Sequence, residues 1–292
     1  MAFTKAEDRA CRHLVELALE EDLGAVGDLT SQAVIPEWQQ GRAVFVARAP
    51  GVPAGLPILP LVSSKVDPRL ELESLKNDGD SLVKGDRIAE WRGPMRGILA
   101  AERTALNFLQ HLSGIATLTR RYVDAVAGLK CKILDTRKTS PGWRLLEKYA
   151  VRQGGGHNHR IGLYDGVLIK DNHLAALKEE ASPITAAVEA ARRCASSLPI
   201  EIEVENFKQF DEALALAPDI ILLDNMTPGE LAEAVARRDA QCDETNWIFL
   251  EASGGITLAN VRAVAETGVD RISIGALTHS APALDIALDY VS

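Results

Sequence analysis

Apolar and polar positions change their period twice in the first third of the chain. Leu14, Leu17 and Ala18 share one helical face with acids opposite, which predicts a helix within the first 30 residues. From about residue 41 to 92 the runs shorten and read as strands: Ala43-Val44-Phe45-Val46-Ala47, Leu70-Glu71-Leu72-Glu73-Ser74-Leu75 and Arg87-Ile88-Ala89-Glu90-Trp91. Asn77-Asp78-Gly79-Asp80 and Lys84-Gly85-Asp86 punctuate them as turns. The expectation is a small antiparallel sheet with helices on one side. Helical spacing returns from roughly Gly97 to Val126, with Leu99, Leu106, Leu109 and Leu112 as its apolar positions.

Beyond residue 130 short apolar runs alternate with amphipathic stretches. The strand candidates are Lys132-Ile133-Leu134, Gly166-Val167-Leu168-Ile169, Ile200-Glu201-Ile202-Glu203-Val204, Ile220-Ile221-Leu222-Leu223, Trp247-Ile248-Phe249-Leu250 and Arg271-Ile272-Ser273-Ile274. Helical stretches at 183–198, 207–217, 228–239 and 257–267 separate most of them. This rhythm predicts right-handed βαβ crossovers and a parallel sheet, barrel or open. Polar or glycine-rich groups follow every run: Asp135-Thr136-Arg137-Lys138, Lys170-Asp171-Asn172-His173, Glu203 with Glu205, Asp224-Asn225, Glu251-Ala252-Ser253-Gly254-Gly255 and Gly275-Ala276. Charged groups contributed by many strand ends favour a barrel, because an open sheet concentrates its site at one switch point.

Composition narrows the class. The chain has 292 residues and a formal charge of −9, which argues against a general nucleic-acid surface but not against a local basic cleft. Cys11, Cys131, Cys194 and Cys242 have no CxxC or zinc-finger spacing and are expected to be buried free thiols. The first residues are charged, without a signal core, and no apolar run reaches the ~20 residues of a membrane span. A soluble cytoplasmic protein is expected.

The candidate chemistry is anion binding. Ser253-Gly254-Gly255 before a helix near Thr257, and Gly275-Ala276 after the last strand, stand where barrels bind phosphate through free backbone N–H groups; the plainer reading is tight turns alone. Arg137, Lys138, Arg160 and Lys170, with His157 and His159, outnumber the two acids Glu203 and Asp224, and the surplus points to a multiply charged anion. A self-neutralised ion-pair network is the bland rival. The His157-Asn158-His159 pair with Lys170, His173 and Asp224 offers a metallohydrolase alternative, weakened by the three glycines that precede it. Those glycines, Gly154 to Gly156, are expected to bring backbone close to a ligand or to fold a flexible turn.

Five motifs stand out: Asp135-Thr136-Arg137-Lys138-Thr139-Ser140-Pro141-Gly142, Leu146-Glu147-Lys148-Tyr149-Ala150-Val151, Gly154-Gly155-Gly156-His157-Asn158-His159-Arg160, Gly162-Leu163-Tyr164-Asp165 and Ile169-Lys170-Asp171-Asn172-His173. Together they resemble the quinolinate phosphoribosyltransferase family, the carboxylating nicotinate-nucleotide pyrophosphorylases. Glu20 to Gly24, Glu102 to Asn107, Glu203 to Asn206, Leu223 to Met226 and Ala252 to Ile256 extend the likeness over essentially the whole chain. Ser140, Trp143 and Gln153 depart from the usual pattern.

The resemblance implies an incomplete parallel α/β barrel of the type II phosphoribosyltransferase kind over 113–279. An N-terminal α+β open-faced sandwich over 1–112 is joined by 280–292. It implies that quinolinate and phosphoribosyl pyrophosphate become nicotinate mononucleotide, pyrophosphate and carbon dioxide, with Mg²⁺, in NAD biosynthesis. By the same resemblance Arg137, His159, Arg160 and Lys170 line the quinolinate pocket, with Thr136 among the substrate contacts, and Lys138 meets the substrate phosphates. Glu203 and Asp224 hold the ribose hydroxyls and the metal, largely through water and substrate. Ser253, Gly254, Gly255, Ile274, Gly275 and Ala276 form the 5′-phosphate cradle; Lys138, Lys170, Glu203 and Asp224 are the catalytic set. Arg103 reads on position alone as a solvated helix arginine, but the family implies that it serves the neighbouring site of a homodimer. Nicotinate-specific and molybdenum-operon pyrophosphorylase-like enzymes are the nearest alternatives, and a non-catalytic phosphoribosyl sensor is the one from another class.

Overall fold

The computed structural model describes residues 3–195 and 197–291. The chain forms two compact units whose division follows packing rather than chain order. The first comprises Met1–Arg120, Lys138–Gly156 and Ala276–Ser292; the second comprises Arg121–Arg137 and His157–Gly275.

The first unit opens with α1 (Lys5–Leu23), started by a capping box in which Thr4 and Glu7 satisfy each other's backbone N–H groups. Helical pattern continues past it in the sequence, but Gly24 adopts φ 52 and ends the helix. Asp28 then caps a separate short α2 (Leu29–Val34). The strands β1 (Gln40–Ala47), β2 (Glu71–Ser74) and β3 (Arg87–Pro94) fall where the alternation predicts them. A turn of 3-10 helix and α3 (Leu59–Val66) lie between the first two. The C-terminal strand, β10 (Ile286–Tyr290), completes an antiparallel sheet of order β10-β1-β3-β2. Phe45 on β1 meets Trp91 on β3 edge-on at 4.9 Å, both fully buried.

The long helix α4 (Met95–Ala125) follows, and α5 (Arg144–Gln153) ends in the glycine run. Gly155, at φ 91, folds the expected turn, whereas Gly154 and Gly156 serve close packing rather than a ligand approach. A Cβ at Gly154 would stand 2.5 Å from the Ala116 carbonyl of α4, and one at Gly156 would stand 2.7 Å from Thr119 Cγ2. They allow backbone to pack directly on α4, with Arg120 Nε donating to the Gly154 carbonyl at 2.9 Å.

The second unit alternates strands and helices: β4 (Lys132–Leu134), β5 (Val167–Ile169), α6 (Asp171–Ala176), α7 (Pro183–Cys194), β6 (Ile200–Val204) and α8 (Phe207–Leu216). Then come β7 (Ile220–Asp224), α9 (Pro228–Gln241), β8 (Phe249–Ser253), α10 (Val261–Glu266) and β9 (Arg271–Ser273). The six strands are parallel in the order β4-β9-β8-β7-β6-β5. Ile200, Ile202 and Val204 of β6 are buried beneath α7 and α8, while Glu201 and Glu203 take the opposite face by the two-residue period.

Strands β4 and β5 end this order and do not pair with each other, so the barrel is incomplete. Residues 157–160 link the two edges. His157 bridges Leu134 on β4, and Arg160 Nη1 donates to the Gly166 carbonyl just before β5 at 2.9 Å.

Three expectations are corrected. Helix α10 begins at Val261, not near Thr257, because Asn260 Oδ1 accepts from Thr257 N–H at 2.7 Å and holds the intervening residues in a turn. Strand β8 starts at Phe249 and runs to Ser253; Trp247 instead stacks under the guanidinium of Arg238 at 3.8 Å. Cys11 and Cys131 are buried, but Cys194 is exposed and Cys242 only partly covered; all four are free. Among the described residues no helix is long and apolar enough to cross a membrane.

Candidate functional site

In the second unit the carboxyl ends of adjacent parallel strands form one polar edge. After β4, Asp135 is fully buried and accepts from Asn158 Nδ2 at 2.6 Å and from His159 N–H at 2.9 Å. It thereby ties the turn at 157–160 to the strand that carries Thr136 and Arg137, both half-buried. The Arg160 guanidinium is held below the ordinary arginine pKa, first by burial and then by the positive charge of Arg137.

Lys170 follows β5 and forms an ion pair with Glu203 on the neighbouring β6. Asp224 ends β7 and accepts from Asn225 Nδ2 at 2.7 Å. Asn225 itself adopts φ 54, and its N–H donates to the Ser253 carbonyl at the end of β8 at 2.9 Å. Gly254 and Gly255 have φ +91 and +61, so this loop turns in the left-handed region. A Cβ at Gly254 would stand 2.1 Å from Asn225 Oδ1. Ile274 is buried, with its N–H donating to the Leu134 carbonyl at 2.9 Å, and Gly275 follows it.

The edge therefore gathers Thr136, Arg137, Lys170, Glu203, Asp224, Ser253, Gly254, Gly255, Ile274 and Gly275 within the second unit. His159 and Arg160 belong to the same unit but reach deeper. They line a cavity of about 220 Å³ with Val167, Glu201, Ile220 and Arg271, three of which begin their strands. Lys170, Glu203 and Asp224 do not line this cavity. Lys138, Arg103 and Ala276 belong to the first unit. There Lys138 is exposed and its carbonyl accepts from Thr278 Oγ1 at 2.7 Å, Arg103 is exposed on α4, and Ala276 opens the short helix α11 (Ala276–His279).

The count of two acids against the cations is incomplete. Glu201 and Glu251 are buried within the second unit and hold His159: its Nε2 is 3.0 Å from Glu201 and 3.4 Å from Glu251. Buried acids thus share the site with the cations, and Lys170 is already paired with Glu203, as the bland network reading expects. A signal for Glu201 was present, since it sits two residues before Glu203 and shares its face. The metallohydrolase set is not assembled. Among the described residues the metal-type cluster is His159, Glu201 and Glu251, whereas His157 is exposed and His173 Nδ1 accepts from Lys170 N–H at 2.9 Å.

Comparison with known proteins places this geometry. Residues 28–113 match the family model for the N-terminal domain of quinolinate phosphoribosyl transferase, and residues 115–289 match that for its C-terminal domain. The nicotinate-nucleotide pyrophosphorylase [carboxylating] of Mycobacterium leprae is 46% identical over 283 residues, covering 96% of this chain and 97% of that one. A probable enzyme of the same description from Bacillus subtilis is 47% identical over 270 residues, covering 92% and 89%. Among solved structures, the nicotinate-nucleotide pyrophosphorylase of Francisella tularensis superposes with a TM-score of 0.89 at 39% identity, covering 98% of this chain and 97% of that one.

Proposed function

The chain belongs to the quinolinate phosphoribosyltransferase family, and from that premise we propose that it converts quinolinate and phosphoribosyl pyrophosphate to nicotinate mononucleotide, pyrophosphate and carbon dioxide in NAD biosynthesis. The observation that carries this reading is the strand-end set of the second unit, where Arg137 and Lys170 offer cations to a dicarboxylate beside the acids Glu203 and Asp224.

Departure of pyrophosphate from ribose C1 builds positive charge on the sugar. Glu203 and Asp224, at the ends of adjacent strands, supply negative charge to meet it. Lys170 beside Glu203 places a cation for the pyridine dicarboxylate and keeps the carboxylate fixed. Arginines and Lys170 hold the ring nitrogen towards C1, which is catalysis by positioning. Once the ring is a pyridinium, loss of the 2-carboxylate leaves negative charge next to a cationic nitrogen, so no nucleophilic side chain is required. The loop Ser253-Gly254-Gly255, with Ile274 and Gly275, offers backbone N–H groups to the 5′-phosphate, and its left-handed glycines suit a nest of such donors. This is phosphate binding by loop backbone, since α10 begins six residues after Gly255.

Mg²⁺ fits the donor chemistry. Glu203 and Asp224 present oxygen ligands without nitrogen or sulfur, and two carboxylates completed by water and phosphate oxygens suit this ion. When bound, it neutralises charge on the leaving pyrophosphate. The protein acts as a homodimer in which exposed Arg103 completes the neighbouring site, and its four free thiols suit a reducing cytoplasm.

The deciding experiment is turnover with phosphoribosyl pyrophosphate and either quinolinate or nicotinate, following carbon dioxide and mononucleotide. Quinolinate-dependent release of carbon dioxide is expected. Turnover of nicotinate alone would replace this reading with the nicotinate-specific one, and binding without turnover would leave a sensor.

A further inference from the structure

Glu201 and Glu251 carry no role in the reaction as described, yet both are almost wholly enclosed, at 3% and 0% exposure. Enclosed carboxylates are costly unless something in the fold uses their charge. What they enclose is the imidazole of His159. Its Nε2 lies 3.0 Å from Glu201 Oε2 and 3.4 Å from Glu251 Oε1, and Arg271 Nη1 stands 3.8 Å from the other oxygen of Glu251. On the far side of the ring, Nδ1 accepts the backbone N–H of Arg160 at 2.8 Å.

That last bond assigns the tautomer. An N–H donor at 2.8 Å requires a lone pair on Nδ1, so the ring proton sits on Nε2 and points at the glutamates. Burial lowers the His159 pKa and the two carboxylates raise it, to a net value of about 10, which on its own would favour a doubly protonated ring. Such a ring would set Nδ1–H against the Arg160 N–H. The geometry instead makes Nδ1 an acceptor and leaves the ring proton on Nε2, 3.0 Å from Glu201 Oε2. A metal on this cluster is disfavoured for the same reason. Coordination through Nε2 would need the lone pair there and the proton on Nδ1, where Arg160 already donates.

We propose that Glu201 and Glu251 are positioning residues for quinolinate. They clamp His159, whose ring holds the Arg160 backbone, so that the guanidinium stands beside Arg137 and reaches the Gly166 carbonyl. His159 then acts through Arg160 rather than as a direct ligand of the substrate. The chain of contacts runs from β6 and β8 across the interior to the turn that links β4 and β5, and all of it lies in the second unit. This inference rests on the quinolinate reading above.

The test uses Glu201→Gln and Glu201→Ala in the full-length enzyme, with Glu251→Gln as a second site. Glu201→Ala is expected to raise the KM for quinolinate about tenfold, with the KM for phosphoribosyl pyrophosphate within about twofold and kcat within about threefold. The isosteric Glu201→Gln, whose amide oxygen can still accept from Nε2–H, is expected to recover much of the loss. Equal effects on both substrates, or a kcat loss with unchanged KM, would overturn the proposal. A second readout needs no variant to fold well: nitrogen NMR of the wild-type enzyme labelled with 15N-histidine, where His159 is expected to show a bare Nδ1 and a protonated Nε2. A protonated Nδ1 would refute the clamp even if quinolinate is the substrate. Failure of the wild type to turn over quinolinate would refute the functional reading while the NMR result still judges the clamp.

Discussion

At the residue scale, two side chains separate ground-state binding from chemistry. Arg160→Ala removes one charge-assisted contact, worth about 1.5–3 kcal/mol, and should weaken quinolinate binding roughly tenfold to a hundredfold. Phosphoribosyl pyrophosphate affinity should change little, and calorimetry with each substrate checks both; unchanged quinolinate affinity would remove Arg160 from the pocket. Asp224→Asn preserves shape and the contact with Asn225 but removes charge at the end of β7. Its effect should appear mainly in kcat, because the carboxylate matters most when the sugar becomes cationic. A loss confined to substrate affinity would argue for a purely binding role. Both residues sit in motifs that the sequence displays. The residues that orient them were not legible in that way, because Asn225 acts through a left-handed backbone and a glycine 29 positions onward.

At the element scale, Gly154 has an ordinary helical φ of −70°, so backbone strain does not explain it. Contact does: a Cβ there would strike the Ala116 carbonyl and Thr119 of α4. Gly154→Ala should therefore destabilise by about 1–3 kcal/mol, as overpacking does, and lower the unfolding temperature without touching the strand-end chemistry. An unchanged unfolding temperature would mean that α4 and α5 can part at no cost. The antiparallel sheet offers a pH prediction. Glu90 on β3 is buried under the arginines Arg42, Arg87 and Arg92. Hydrogen bonding to Arg42, opposed by burial and reinforced by Arg92, lowers its pKa from 4.5 to about 2. A depressed carboxylate pKa stabilises the fold above the unfolded value and loses that contribution as pH falls through the folded one. Wild type should thus lose stability between pH 4.5 and 2 that Glu90→Gln never had, so the gap between their unfolding temperatures should shrink across this window. A gap that stays constant with pH would exclude Glu90 as an acid-sensitive anchor.

At the scale of the whole molecule, Arg103 carries the homodimer proposal. It is exposed on α4, as a solvated helix arginine would be. If it serves the neighbouring site, Arg103→Ala and Lys170→Ala subunits should complement each other. A mixed dimer has one site lacking both groups and one site intact. Mixing two inactive variants under subunit exchange should then restore up to about half of the activity per mixed dimer, if sites are independent. Exchange without restored activity, verified by native mass measurement, would return Arg103 to its own subunit or to solvent.

The pattern of the chain by itself determined the two sheets, their parallel and antiparallel character, and the placement of Arg137, Lys170, Glu203 and Asp224 at or just beyond strand ends. Strand period and turn chemistry are local, so they survive reading one residue after another. Three features depended on contacts between distant segments. Gly154 and Gly156 serve packing on α4, the phosphate loop is separated from α10 by the Asn260 turn, and Glu201 with Glu251 encloses His159. No local pattern distinguishes a glycine that admits a ligand from one that admits a helix, or a strand glutamate facing substrate from one facing a histidine. Only the tertiary fold decided which partner each side chain met, because a buried group's role is set by whichever atoms packing brings to it.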